Sequence, residues 1–170
     1  GRTMYYTATE RWYTEVARVP KAGVIDVQRR YTTVSGGNPV STFSVGDLVR
    51  VTLTVDLPRD GAFMLVEDMI PGGLEPINER LNTSSYDRGL FEACMWSADC
   101  DVYRWERYGY NQKEIRSDRV SFFITSLSAG RHTFSYLARA VRSGRFTALP
   151  AIASAMYEEA LWGRGDTAWV

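Results

Sequence analysis

The chain has 170 residues, enough for one domain with a substantial core, and its 20 basic and 20 acidic residues cancel to a formal charge of zero. Because the chain lacks excess positive charge, it has no long-range attraction for nucleic acid or for an anionic membrane, and neither is expected as a partner. No apolar run approaches the roughly 20 residues needed to cross a bilayer, so direct membrane insertion is not expected either.

The first 21 residues are set apart from the rest of the chain. Residues 2–15 are aromatic and strand-like, and a stretch that contains Pro20 and Gly23 breaks the pattern after them. We therefore predict a connecting strand or linker from a preceding module over residues 1–21 and a single β domain over residues 22–170.

Strand patterns dominate the next part of the chain. Residues 24–33 are predicted to form one strand, and residues 49–56 alternate apolar with polar side chains, which is typical of a half-buried strand. The apolar side chains of this second strand are predicted to face the core: Val49, Val51, Leu53 and Val55. A turn that includes Pro58 and Gly61 leads into a third strand over residues 62–69.

The second half of the chain contains two longer strand patterns. They cover residues 119–125 and 131–141 and are predicted to form a hairpin across residues 127–130, after which Phe146 begins a returning strand. Short strands joined by Gly, Pro and Asp turns are typical of antiparallel sandwiches. We therefore predict an all-β antiparallel sandwich of at least seven strands.

The long segment over residues 82–117 interrupts this regular succession of strands and turns. It is polar and aromatic, and a loop of this length usually carries structure of its own, so we predict a short helix near residues 86–94 and a hairpin near residues 102–108. Four aromatic residues form a candidate group that either packs inside the domain or is exposed as a contact surface for protein or carbohydrate. They are Tyr103, Trp105, Tyr108 and Tyr110.

The same segment holds the two cysteines of the chain, Cys94 and Cys100. A disulfide between them would close a short loop and contribute roughly 2 kcal/mol in the chain-entropy model. The spacing leaves this pairing and a pair of free thiols equally open. A zinc site is not expected, because the single histidine, His132, lies far away in the sequence.

No catalytic frame is recognisable in the sequence. Glu67 and Asp68 are adjacent on a predicted strand, so their side chains point to opposite faces and cannot act on one substrate as an acid and base pair. One is expected in solvent, and the other is expected to pair with an arginine such as Arg119 or Arg139. His132 is not accompanied by a recognisable catalytic motif and is expected to be structural or exposed. The sequence therefore predicts a noncatalytic domain that holds no metal and no cofactor.

The spacing of residues 127–157 is the most specific pattern in the chain. Its turns fall at Gly130 and Gly144, and it ends in the pair Met156-Tyr157. Four other blocks precede it in the same order: Arg29-Arg30-Tyr31, residues 45–51 around Gly46-Asp47, residues 67–78 around Pro71-Gly72-Gly73, and residues 118–123. Together these blocks resemble the carboxy-terminal, receptor-binding-like macroglobulin domain of bacterial alpha-2-macroglobulins.

The resemblance implies an immunoglobulin-like antiparallel sandwich at the end of a much larger protein. With the helix predicted above, the expected fold is such a sandwich with a short helix in a long loop. Members of that family are broad-spectrum protease inhibitors: a protease cleaves a bait region, the inhibitor changes shape and entraps the protease, and many members carry a reactive Cys-Gln thioester. The implied partners are the thioester domain and other macroglobulin domains of the same polypeptide, and target proteases. The implied location is periplasmic or secreted, with any membrane anchor supplied by an upstream lipidated segment.

Two site assignments also follow from the resemblance. Because the family is exported, Cys94 and Cys100 are expected to be bonded to each other. Met156 and Tyr157, taken alone, are typical of core packing on a last strand. In bacterial members, however, the matching pair leans against the thioester of the neighbouring domain, so we expect at least one of the two to be exposed.

The chain departs from the family pattern at two places. Its isolated lysines, Lys21 and Lys113, do not match the paired lysines through which animal members bind a clearance receptor. Glu158 and Glu159 follow Tyr157, where bacterial members usually have a proline two residues on. The competing interpretation is a freestanding sandwich for adhesion or carbohydrate binding through the four-residue aromatic group.

Overall fold

The computed structural model describes residues 7–10, 15, 19–34, 39–78 and 110–170. The helix predicted near residues 86–94 and the hairpin predicted near residues 102–108 lie outside these residues, as do Cys94 and Cys100. Within the described part of the chain the regular structure is all β-strand, and no helix is long and apolar enough to cross a membrane.

Twelve strands are present in the described residues, numbered in chain order. They are β1 (Ala22–Gly23), β2 (Asp26–Thr33), β3 (Leu48–Leu57), β4 (Gly61–Met69), β5 (Leu74–Pro76), β6 (Gln112–Ile115), β7 (Arg119–Leu127), β8 (Gly130–Ala140), β9 (Thr147–Ala148), β10 (Ile152–Ala155), β11 (Trp162–Arg164) and β12 (Ala168–Trp169). One sheet has the order β1-β11-β10-β4-β7-β6, a second has the order β2-β3-β8-β5, and β9 pairs with β12. The two larger sheets contribute to one core, which confirms the predicted antiparallel sandwich.

The strand β3 has the buried face that its alternation predicts. It lies between β2 and β8, and its inward side chains are completely buried. These side chains are Val49, Val51, Leu53 and Val55. They share the core with inward residues of the other sheet, among them Met64, Val66 and Phe122.

Replacing Val51 with alanine is expected to destabilise the fold by about 1–3 kcal/mol, because two methyl groups are lost from a fully buried site. Thr52→Ala lies on the opposite face of the same strand and is the matched control. It is expected to change the free energy of unfolding by no more than about 0.5 kcal/mol. Urea denaturation measures both changes, and equal sensitivity at the two positions would contradict the register.

The predicted hairpin between residues 119–125 and 131–141 is wrong. Strand β7 pairs with β4 and β6, whereas β8 pairs with β3 and β5, so the short connection between β7 and β8 crosses from one sheet to the other. The physical reason is that the apolar faces of the two strands pack against each other across the core. The rings of Phe122 and Phe134, one from each strand, have centroids 5.3 Å apart.

The returning strand predicted to begin at Phe146 is present as β9. It pairs with β12, and backbone hydrogen bonds between Phe146 and Val170, at 2.8 and 3.0 Å, extend that pair by one residue. The segment therefore returns along the last described strand and not along β8.

The strand β11 packs very closely against the segment before β2. A Cβ atom on Gly163 would lie 1.9 Å from the carbonyl oxygen of Ile25, so glycine is needed there. The carbonyl oxygen of Trp162 accepts hydrogen bonds from the N–H groups of Val24 and Ile25, at 2.8 and 3.2 Å. These contacts fix β11 and, with it, one end of the loop that connects β10 to β11.

Candidate functional site

The adjacent carboxylates of β4 point to opposite faces of their sheet, as predicted. Glu67 is half-buried, accepts a hydrogen bond from the Ser121 hydroxyl at 2.9 Å and lies 3.9 Å from Arg119 Nη1. Asp68 is fully buried in the core. The two groups therefore cannot act together on one substrate.

Asp68 is held by charged and polar groups from the opposite sheet. Its Oδ1 lies 2.5 Å from Arg29 Nη1 of β2, and the Tyr136 hydroxyl of β8 donates to its Oδ2 at 2.8 Å. The Arg29 guanidinium also donates to the carbonyl oxygens of Ala148 and Leu149, at 3.0 and 2.8 Å. One buried ion pair thus connects β2, β4, β8 and β9.

The arginine that pairs with Asp68 is Arg29, and not Arg119 or Arg139, the two named from the sequence. Arg119 lies beside Glu67 on the outer face, and Arg139 donates to the carbonyl oxygen of Gly46 at 3.1 Å. Asp68 and Arg29 are 39 residues apart in the sequence, so only the folded structure brings them together.

The electrostatics of this cluster indicate a structural role. Burial raises the pKa of Asp68, and the charge of Arg29 and the hydrogen bond from Tyr136 oppose that increase. Burial also raises the pKa of Tyr136, and the nearby Asp68 carboxylate adds to the increase. A carboxylate with no solvent-exposed surface cannot receive a substrate, so we assign the cluster to the packing of the two sheets.

His132 is half-buried on β8, and its Nε2 lies 2.8 Å from the carbonyl oxygen of Ser128 in the preceding turn. It therefore donates a hydrogen bond that closes this turn, which agrees with the structural role expected for it. Within the described ranges no three histidine, cysteine, aspartate or glutamate side chains are grouped so that they could hold a metal ion.

A cleft of about 720 Å³ lies beside the start of β3 and the end of β8. Hydroxyl, apolar and arginine side chains line it, and its described lining contains no aspartate, glutamate, histidine or cysteine side chain. The Arg145 guanidinium stacks over the Trp169 ring, 4.4 Å from the ring centroid. This lining lacks the side chains that most often carry out general acid–base catalysis.

The loop between β10 and β11 displays apolar side chains at the surface. Met156 is 44% exposed and Tyr157 is 82% exposed, so the exposure expected for at least one of them is confirmed. Leu161, at the other end of the loop, is fully buried and anchors it to the core. The N–H of Ala155 donates to the carbonyl oxygen of Leu161 at 2.8 Å. The N–H of Leu161 donates to the carbonyl oxygen of Glu158 at 3.0 Å.

Phe63, on the outer face of β4, extends this surface. The N–H of Met156 donates to the Phe63 carbonyl oxygen at 2.9 Å, and the rings of Phe63 and Tyr157 meet edge to face with centroids 5.4 Å apart. Phe63 is itself 49% exposed. We call Phe63, Met156 and Tyr157 together the apolar patch.

An ion pair borders the apolar patch. The Arg59 guanidinium, in the loop between β3 and β4, donates two hydrogen bonds to the Glu158 carboxylate, one of them from Nη1 to Oε2 at 3.0 Å. The hydrogen bond from Arg59 lowers the pKa of Glu158. No local sequence pattern identifies Phe63 or this ion pair as site residues, because Arg59 and Glu158 are 99 positions apart in the chain.

The substitution Arg59→Gln is expected to raise the pKa of Glu158 towards the ordinary glutamate value of about 4.3. Because folding lowers this pKa, the ion pair favours the folded state above the pKa of the unfolded carboxyl, and that contribution is lost as the pH falls through the lowered value. An NMR titration of the Glu158 carboxyl carbon in both proteins makes the measurement. The same midpoint in both would show that the ion pair does not form in solution.

Of the four aromatic residues proposed as a possible contact surface, Tyr110 is the one within the described residues. It is half-buried, and its ring packs edge to face against Phe122 with centroids 5.4 Å apart. Tyr103, Trp105 and Tyr108 lie outside the part of the chain that the structure describes.

Residues 25–159 match the family model of the bacterial alpha-2-macroglobulin MG10 domain. The chain is also 29% identical over 122 residues to the alpha-2-macroglobulin of Thermotoga maritima, an alignment that covers 72% of this chain and 7% of that protein. The chain therefore spans less than a tenth of the length of this relative.

Two solved structures share the fold of the chain. Escherichia coli alpha-2-macroglobulin activated by porcine elastase superposes with a TM-score of 0.74 at 24% identity, over 88% of this chain and 13% of that chain. Salmonella alpha-2-macroglobulin reacted with methylamine superposes with a TM-score of 0.66 at 25% identity, over 86% of this chain and 9% of that chain. The sandwich described above is thus the fold of a region within much larger macroglobulins.

Proposed function

Because the chain belongs to the bacterial alpha-2-macroglobulin MG10 domain family, we propose that it is a noncatalytic domain at the carboxy-terminal end of a larger protease inhibitor. In that protein it shields the thioester of a neighbouring domain and takes part in protease entrapment. The observation that carries this proposal is the outward display of Met156 and Tyr157 on a loop anchored by the buried Leu161.

The chemistry of Met156 and Tyr157 suits a lid over a thioester. A thioester survives only while water and amines are kept away from its carbonyl carbon, so the lid must be apolar and must fit closely. A flexible thioether fills irregular gaps, and a phenol ring adds a broad flat surface. In the chain alone both side chains contact water, so burial against a neighbouring domain would remove apolar surface from water without disturbing the core.

The proposed partners are the thioester domain and the other macroglobulin domains of the same polypeptide, because the Thermotoga maritima relative is many times longer than this chain. Target proteases would act on the full-length protein, as elastase does on the Escherichia coli macroglobulin. We propose a periplasmic or secreted location, where Cys94 and Cys100 would be oxidised to a disulfide.

Entrapment predicts a specific inhibition profile for the full-length polypeptide. Elastase incubated with it should lose activity towards a large protein substrate, which the surrounding inhibitor excludes, and should keep activity towards a short peptide substrate. The isolated 170-residue chain is the control and should inhibit neither reaction. Retention of both activities in the presence of the full-length polypeptide would contradict the inhibitor proposal, and loss of both would indicate direct blocking of the protease active site instead.

A further inference from the structure

We propose that Phe63 and the Arg59–Glu158 ion pair are positioning residues that hold Tyr157 pointing away from the domain. This inference rests on the proposed shielding role, because the direction of Tyr157 matters when a neighbouring domain receives its ring. Phe63 acts by direct contact with Tyr157, and the ion pair acts through the backbone of the loop.

Phe63 has a backbone conformation that is rare for a large side chain. Its φ is 50°, and it is the one residue other than glycine with a positive φ in the described part of the chain. The pairing of β4 with β7 skips Phe63, and the register is the same on both sides of it, where Ala62 pairs with Ser126 and Met64 pairs with Ile124. Such conformations are unfavourable and persist where the surrounding structure requires them, often at functional sites.

The conformation of Phe63 produces two contacts with the loop. Its carbonyl oxygen accepts the N–H of Met156 at 2.9 Å, and its ring meets the ring of Tyr157 at an interplanar angle of 87°. Because Phe63 is 49% exposed and Tyr157 is 82% exposed, the ring contact buries little apolar surface. Its main consequence is therefore the direction in which Tyr157 points, and not the stability of the core.

The ion pair restrains the other side of Tyr157. Two parallel N–H···O hydrogen bonds from a planar guanidinium fix both the distance and the angle of the Glu158 carboxylate. Tyr157 thus lies between two restrained neighbours. The backbone of Met156 is hydrogen-bonded to β4, and the side chain of Glu158 is hydrogen-bonded to the loop between β3 and β4. With both flanks fixed, the backbone of Tyr157 has few alternatives to its outward orientation.

The first test is the NMR order parameter of the Tyr157 backbone amide in the 170-residue chain. Glycine adopts a φ of 50° without strain, so Phe63→Gly should fold and yet lower the order parameter from about 0.85 to below about 0.6. Arg59→Gln should lower it as well and weaken the nuclear Overhauser contacts between the two rings. Phe63→Tyr keeps the ring and should preserve the original value. Trp169→Leu, at another exposed aromatic residue, should leave the order parameter unchanged.

The second test is the reaction of the full-length parent with methylamine. Phe63→Gly should accelerate it about threefold, the factor that corresponds to one lost edge-to-face contact. An unchanged order parameter of Tyr157 in both Phe63→Gly and Arg59→Gln would overturn the positioning inference. The two proposals can fail separately. If Phe63→Gly and Arg59→Gln lower the order parameter, the positioning inference is supported. If removal of the Met156 and Tyr157 side chains then leaves the methylamine rate unchanged, the shielding role is contradicted.

Discussion

Replacing Asp68 with alanine is expected to destabilise the folded chain by about 3–5 kcal/mol, because it leaves the Arg29 guanidinium buried without its counter-charge. The side chain of Arg29 is 4% exposed, so it cannot reach water unless β2 moves. The Tyr136 hydroxyl loses its buried acceptor at the same time. A loss of this size is a large part of the roughly 5–15 kcal/mol that stabilises a typical domain.

Glu67→Ala is the matched control for this prediction. The Glu67 side chain is 27% exposed, its arginine lies 3.9 Å away and it accepts one hydrogen bond from Ser121, so its removal is expected to cost about 1–2 kcal/mol. The double variant Arg29→Met/Asp68→Leu removes both charges and should be more stable than Asp68→Ala. Urea denaturation followed by tryptophan fluorescence compares the three. Equal midpoints for Asp68→Ala and Glu67→Ala would contradict a buried ion pair.

Local patterns in the sequence predict which face of a strand is buried. The alternation of β3 identifies its core residues correctly, because successive side chains of a strand point to opposite sides whatever its neighbours are. The opposite orientations of Glu67 and Asp68 follow from the same geometry. Predictions of this kind need no knowledge of which strands pair.

Sheet membership depends on partners that are distant in the sequence. The apolar alternation of β7 and β8 is compatible with two neighbours in one sheet and with two strands that face each other across a core. The arrangement is determined by the pairing partners: β7 pairs with β4, and β8 pairs with β3. The hairpin prediction is wrong for this reason. The prediction of Arg119 or Arg139 as the partner of Asp68 is wrong because Arg29, the actual partner, is 39 residues away in the sequence.

The surface site is only partly predictable from the sequence. The composition of Met156 and Tyr157 favours a core position, and the family resemblance was needed to expect exposure. The structural cause of their exposure is a backbone hydrogen bond between Ala155 and Leu161, which makes the residues between them extend beyond the sheet. The left-handed conformation of Phe63 has no sequence signature, because it depends on contacts with a loop far along the chain.

Replacing both Met156 and Tyr157 with alanine is expected to leave the domain folded but to expose a thioester in the full-length parent. Both side chains are exposed and lie outside the core, so the two changes together should lower the free energy of unfolding by no more than about 2 kcal/mol, mainly through the lost ring contact with Phe63. Without the lid, methylamine should react about tenfold faster, which corresponds to about 1.4 kcal/mol of lost protection. Val45→Ala/Trp169→Ala removes exposed apolar side chains elsewhere on the domain and is the matched control.

The most direct test of the shielding role is the rate at which methylamine releases thiol from the full-length parent before any protease is added. Attack of the amine on the thioester carbonyl forms an amide and frees the cysteine thiol, so thiol release measures the reaction. We expect release about tenfold faster from Met156→Ala/Tyr157→Ala and unchanged from Val45→Ala/Trp169→Ala. An unchanged rate in the first variant, or a domain that unfolds when the two side chains are removed, would contradict the account and assign them to packing.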